Sequence, residues 1–386
     1  MCRRLLSMVC CLALLCLPAG RRARADEGWT LPEGVRAAVL VDGAGASMLC
    51  GANEGEALSV AGLSKLPALL TLAQAFDEGM IREDAAMHVS SRAAGVTGPT
   101  AFLERGEEMP ADELMKAAVM ISAGDAILTL GEGAYGSESV FVDNINATLR
   151  LAGVERTVTD ALGTSLTLTA SELALLGRAA AQSETFQRYC ALQLDQIRHA
   201  DGEETELVNA NRMVRTYAGC FGLLTGSSSQ DGYCGVFAAT RSGMTLIAVV
   251  LGAQNTATRF SAASSLLDYG FAAYRAEPLL SAGEVVLSGV PVEDGTVRQV
   301  DLVAREAVTL LLPRAQERPS LAEEAPELLS APLSRQAAVA EARFVNAAGE
   351  TVARVPLYPA EDVPLFRLTD IFRAIFRDFL GMPPDG

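Results

Sequence analysis

The sequence has few lysines, few histidines and no long apolar run, and each scarcity excludes something. Lys65 and Lys116 are the only lysines among 31 basic residues, which face 47 acidic ones for a formal net charge of −16. Arg3, Arg4, Arg21, Arg22 and Arg24 lie within residues 1–25, which hold no acid, so removing those five positive charges takes −16 to −21 from Asp26 onward. A body that negative repels a phosphate backbone, which excludes nucleic acid as a partner. It reads as soluble and acidic. The two histidines, His88 and His199, are far apart, and no cysteine spacing suits zinc. Neither a metal nor another cofactor is therefore expected.

Leu5–Leu17 is apolar but too short for the roughly 20 residues of a spanning helix. Arg3 and Arg4 precede it and the small-x-small triplet Ala23-Arg24-Ala25 follows, which is the order of a secretory signal over residues 1–25. Cys10, Cys11 and Cys16 lack a lipidation setting and leave with the signal. Cys50, Cys190, Cys220 and Cys234 remain. Export permits disulfides, but four scattered cysteines make no framework, and they read as small buried hydrophobes. The 386 residues suffice for one large domain and a smaller one.

Val35–Asp42 reads as an apolar strand, and Ser47–Gly51 as its return. An apolar helix is predicted from Lys65 to about Glu78, stopped by Gly79. Residues 87–110 look irregular, and Asp112 is expected to cap the next helix. Helical patterns follow over 139–152 and 169–182. His199 sits in a charged run expected to be a solvated face. Cys220–Thr225, Tyr233–Arg241 and Thr245–Leu251 read as successive antiparallel strands, and Ala257–Tyr274 as a closing helix. After Pro278 the texture is β, over 284–287, 297–302, 308–312, 338–346 and 351–356. Residues 365–380 then form an amphipathic helix, with Leu365, Leu368, Phe372, Ile375, Phe376 and Phe379 on one face.

Three short motifs concentrate the chemistry: Gly62-Leu63-Ser64-Lys65, Ser122-Ala123-Gly124 and Leu224-Thr225-Gly226. Their order, with Asn211-Arg212-Met213, the run 239–252 and Asp268-Tyr269-Gly270-Phe271, resembles the serine-type D-Ala-D-Ala carboxypeptidases, the low-molecular-mass penicillin-binding proteins. That family uses Ser-x-x-Lys, Ser-x-Asn and Lys-Thr-Gly. The resemblance covers nearly the whole chain after residue 25. It implies an α+β fold: a β-lactamase/transpeptidase-like domain over 26–277, with an antiparallel sheet flanked by helices and a helical subdomain. A small all-β domain follows over 278–360, then an amphipathic membrane-associating tail over 361–386.

The resemblance also assigns roles. Lys65 and Ser122 match catalytic positions, but the nucleophile position is Gly62, the motif asparagine is Gly124 and the motif lysine is Leu224. Thr225, Gly226, Ser227 and Arg259 complete the substrate-binding set, with backbone N–H groups of Gly62 and Ser227 as the oxyanion site. The bland reading of Lys65 is a relic, left without a serine beside it and paired with an acid such as Asp125. Ser64 lies about 100° round the helix from Lys65 and points elsewhere. The favoured reading is a non-hydrolytic protein of the exported cell envelope. It binds a peptidoglycan stem peptide ending in D-Ala-D-Ala or a cell-wall protein, and touches the membrane peripherally through its tail. The alternatives are an active carboxypeptidase using a repositioned residue such as Ser122, and a scaffold with an idle cleft. N-terminal sequencing of the exported protein should find it starting near Asp26; a start at Met1 would refute the signal.

Overall fold

The computed structural model describes residues 29–45, 47–322 and 326–367. The signal expected over 1–25 lies outside them, as does the part of the expected tail helix beyond Arg367. The chain forms two compact units that divide between Tyr274 and Arg275.

The larger unit is built on a five-stranded antiparallel sheet. Its strand order is Met48–Ala52, Ala37–Asp42, Met244–Ala253, Gly232–Arg241 and Cys220–Ser228. The first and last thirds of this unit thus share one sheet, with Val39 opposite Val249 and Leu40 opposite Ala248. The central strands read as unbroken apolar runs because both faces are covered. Gly177, in the Ala170–Gln182 helix, lies against Val236 and Ile247. Gly270, in the Thr256–Ala273 helix, lies against Leu40 and Leu246 from the other face. Alternate side chains of each strand therefore enter different helix contacts.

The central Leu66–Asp77 helix buries ten of its residues, Leu66 to Phe76 except Gln74. Gly79, at φ +71°, closes it as expected, its N–H bonding Phe76 O at 2.9 Å. The next major helix, Ala111–Met120, begins differently from the expectation. Pro110 is its N-cap, and Asp112 lies inside the first turn. No side-chain cap is needed, because Ala111 N donates to Ala85 O and Asp112 N to Glu83 O. The Asp112 carboxylate instead accepts from Tyr189 Oη at 2.6 Å. Within the stretch read as irregular, Ala86–His88 pairs with Glu108–Pro110.

The charged run around His199 is also corrected. It forms a hairpin, Leu194–Arg198 with Glu204–Val208. The His199 side chain is only 10 % exposed, held by Glu107 Oε1 at 3.0 Å and Thr205 Oγ1 at 2.8 Å. Charge in the sequence hid a polar contact that the hairpin turns inward. Cys50, Cys190, Cys220 and Cys234 are all buried, and none of them forms a disulfide.

The smaller unit is a six-stranded sheet in the order Ser320–Ala322, Ala340–Val345, Thr351–Pro359, Gln299–Ala304, Val285–Glu293 and Leu329–Ser330. Leu302, Val290, Phe344, Leu357 and Val363 lie in its core. Residues 365–367 are not helical as expected; Leu365 bridges to Gly295, and Phe366 N donates to Asp294 O at 2.7 Å. Among the described residues no helix is long and apolar enough to cross a membrane.

The helix-on-sheet packing gives a stability test. A β-carbon on Gly177 would stand 2.7 Å from Val236 Cγ1 and 3.0 Å from Ile247 Cγ2. Gly177→Ala should cost about 1–3 kcal/mol of stability through overpacking, read from the urea midpoint. An unchanged midpoint would mean that the helix does not sit this close to the sheet.

Candidate functional site

The three motifs converge where the first turn of the helical layer meets the edge strand Cys220–Ser228. Ala61–Lys65 is a 3-10 turn leading directly into the Leu66–Asp77 helix. It is pressed onto the strand backbone to backbone: a β-carbon on Gly226 would lie 2.5 Å from Gly62 N and 2.7 Å from Gly62 Cα. Only glycine at position 226 permits that approach. The reverse is roomier. A β-carbon on Gly62 would meet Gly226 Cα at 3.4 Å and Thr225 O at 3.9 Å, which is ordinary contact.

Lys65 follows Gly62 by one turn and is 8 % exposed. Its Nζ donates to the carbonyl oxygen of Ser122 at 2.7 Å. The expected ion pair with Asp125 is not formed. Asp125 is 2 % exposed, and its carboxylate accepts from the N–H groups of Ala101, Leu103 and Ala126. Three backbone donors satisfy it where the sequence suggested one ammonium.

Position 124 faces the lysine. A β-carbon on Gly124 would stand 3.5 Å from Lys65 Nζ, but also 2.7 Å from Val96 Cγ1 and 3.4 Å from Leu162 Cδ1. The space for a side chain there is filled by Val96. Val96 lies in the stretch read as irregular, and nothing in the spacing of the motifs points to it.

On the strand side, Leu224 is 2 % exposed and belongs to the main hydrophobic core. Thr225 is also buried, whereas Ser227 is exposed. Arg259 comes from the Thr256–Ala273 helix and is 6 % exposed, so it is no surface arginine. Its Nη1 donates to Gly226 O and Cys234 O, both at 3.2 Å. Its guanidinium lies 4.5 Å from the Phe260 ring. Its Nε is buried without a partner, and among the described residues no carboxylate pairs with it. Burial pulls its pKa down to about 10, the nearby Cys234 thiol raises it, and Arg212 lowers it further.

The structure thus gathers Gly62, Lys65, Ser122 and Gly124 on one side and Thr225, Gly226 and Arg259 on the other. Three non-glycine residues beside the motifs hold left-handed backbone: Ala61 at φ +49°, Ser122 at +56° and Leu223 at +88°. Strain of this kind persists where the surroundings over-determine the conformation.

The buried lysine has a pH signature. Desolvation lowers the Lys65 pKa, and Asp125 raises it only in part. A lysine with a lowered folded-state pKa binds its proton less tightly folded than unfolded. The unfolded chain therefore holds more protons below the ordinary lysine value, and stability rises with pH in that window. Compared with Lys65→Met, the unmodified protein should gain stability as pH rises toward the ordinary lysine value, about 10.4, in urea denaturation. Parallel pH profiles would mean that Lys65 titrates like an exposed lysine.

Comparison with known proteins agrees with this arrangement. The family model described as D-alanyl-D-alanine carboxypeptidase matches residues 33–255, and the model for the C-terminal domain of penicillin-binding protein 5 matches residues 274–365. The chain is 27 % identical over 335 residues to the D-alanyl-D-alanine carboxypeptidase DacF of Bacillus subtilis, covering 85 % of each. It is 27 % identical over 349 residues to DacC of Escherichia coli, covering 85 % of this chain and 84 % of that one. Among solved structures, penicillin binding protein 5 from Haemophilus influenzae shares the fold with a TM-score of 0.73 at 22 % identity, over 87 % of this chain and all of that one. A family model that spans more than half of the chain, together with relatives aligned along most of their length, shows that this protein belongs to the D-alanyl-D-alanine carboxypeptidase family.

Proposed function

We propose that this member is a non-hydrolytic binder of cell-wall peptides ending in D-Ala-D-Ala. The observation that carries the reading is Gly62, which stands one turn before Lys65 and against Gly226, where the family's motif order places the nucleophilic serine. Acylation needs a hydroxyl, a base to take its proton and donors for the oxyanion. Position 62 offers backbone only. The Lys65 ammonium is engaged by the Ser122 carbonyl, and position 124 has no side-chain amide. Loss of a serine nucleophile alone costs about 10⁶ in turnover in a comparable enzyme.

Binding makes a smaller demand. Arg259 is held by two backbone carbonyls directly behind Thr225–Gly226, with no carboxylate of its own. A peptide C-terminus offers such a guanidinium a charge-assisted partner. The Thr225 hydroxyl and the N–H groups of Gly62 and Ser227 add donors. Export through residues 1–25 and peripheral membrane contact through 361–386 rest on the sequence pattern, and they would place this binding at the outer face of the cytoplasmic membrane.

Hydrolysis through Ser122 is the competing reading, and it requires Lys65 to engage the Ser122 hydroxyl in place of its carbonyl. Mass spectrometry after exposure to penicillin should find no covalent adduct, and no D-Ala should be released from a D-Ala-D-Ala peptide. A stable adduct on Ser122 or any other residue would overturn the silent cleft. Titration with acetyl-D-Ala-D-Ala should show weak binding, with Kd of roughly tenths to several mM. Arg259→Ala, with folding checked by circular dichroism, should abolish it; unaltered binding would overturn the recognition. Gly62→Ser alone should not restore turnover, because Gly124 and Leu224 still lack the family's polar groups.

A further inference from the structure

The segment 99–103 crosses the start of the Gly124–Tyr135 helix and is fastened to it at three points. Gly124 N donates to Pro99 O at 2.9 Å. The buried Asp125 carboxylate accepts from Ala101 N at 2.9 and 3.0 Å and from Leu103 N at 3.1 Å. Gly124 itself borders the Lys65 ammonium. Phe102 stands between the two residues tied to Asp125. Ala101 is fully buried and Leu103 is 5 % exposed, yet Phe102 is 74 % exposed.

The backbone of Phe102 is left-handed, at φ +61°. Of the seven described non-glycine residues with positive φ, it is the only aromatic one, and the other large apolar one, Leu223, is buried. For a bulky residue this conformation is an outlier. Two unfavourable features thus coincide, a strained backbone and an apolar ring in water; the Asp125 carboxylate constrains the backbone, but nothing in that contact calls for an aromatic side chain. Glycine serves the same left-handed geometry at Gly79, Gly106 and Gly136. A strained residue held in place by a buried carboxylate is the pattern of a contact kept for a ligand.

We propose that Phe102 is a specificity residue of the cleft, packing on the aliphatic side chain of the third residue from the C-terminus of a bound peptide. The inference rests on the peptide-binding reading above. A peptide whose carboxylate lies at Thr225 and Arg259 occupies the space between the strand and the Gly124 edge. Its preceding residues leave past that edge, where segment 99–103 is fastened. An aromatic ring with little rotamer freedom is an effective anchor for such a contact.

The test compares two ligands by NMR titration of the full protein. One is acetyl-D-Ala-D-Ala; the other is a synthetic pentapeptide ending in L-Lys-D-Ala-D-Ala. Phe102→Gly should weaken the pentapeptide about tenfold and leave the dipeptide unchanged. Its melting midpoint should not fall, because glycine accepts the φ without strain. Phe102→Asn, a residue type tolerated at this φ, should behave the same way. A pentapeptide with glycine in place of the lysine should bind the unmodified protein and both variants alike, which closes a double-mutant cycle on the contact. Equal pentapeptide affinity in the unmodified protein and the variants would overturn this inference alone. Failure of both peptides to bind the unmodified protein would overturn the parent reading and this one with it.

Discussion

The cleft is organised by a contact between two backbones. Gly62 and Gly226 meet with no side chain between them, and the turn that carries Lys65 is thereby set against the strand that carries Thr225. Everything else at the site hangs on that approach. The Leu66–Asp77 helix starts where the turn ends, so its direction is fixed by the same contact. Arg259 reaches its position by bonding the carbonyl of Gly226 itself. Any side chain at 226 would drive the turn from the strand and take the two halves of the site apart together.

The polar groups behind this contact are arranged for rigidity. Asp125 binds backbone N–H groups of the 101–103 segment, and Lys65 binds a backbone carbonyl. Neither charge neutralises the other directly. A buried charge held by backbone dipoles is fixed in place by geometry, with no need for an opposite charge. Ser122 joins in this arrangement: its backbone is left-handed at φ +56°, and its carbonyl receives the Lys65 ammonium.

Much of the architecture was legible in the sequence because apolar runs report burial on both faces of a sheet. Val35–Asp42 and Thr245–Leu251 could be read as buried strands for that reason, and the motif order brought Gly62–Lys65 together with the Cys220–Ser228 strand. What could not be read depends on partners far along the chain. Asp112 looks like a cap until Pro110 is seen to start the helix and the carbonyls of Ala85 and Glu83 to take its first two amides. His199 looks solvated until Glu107, distant in sequence, arrives beside it. Asp125 is the nearest acid to pair with Lys65, but three amides reach its carboxylate instead.

Val96 ties the chemistry possible at position 124 to a residue outside the motifs. Its Cγ1 occupies the space that an asparagine at 124 would enter, at 2.7 Å from the first carbon of that side chain. A β-branched residue has little freedom to turn aside. Asparagine could return to 124 only after Val96 had been trimmed, and trimming Val96 first would open a void beside a buried ammonium for no gain. Either substitution made alone is thus expected to be unfavourable. The apolar filling thus couples the two positions: a side chain at 124 needs a smaller or displaced residue at 96.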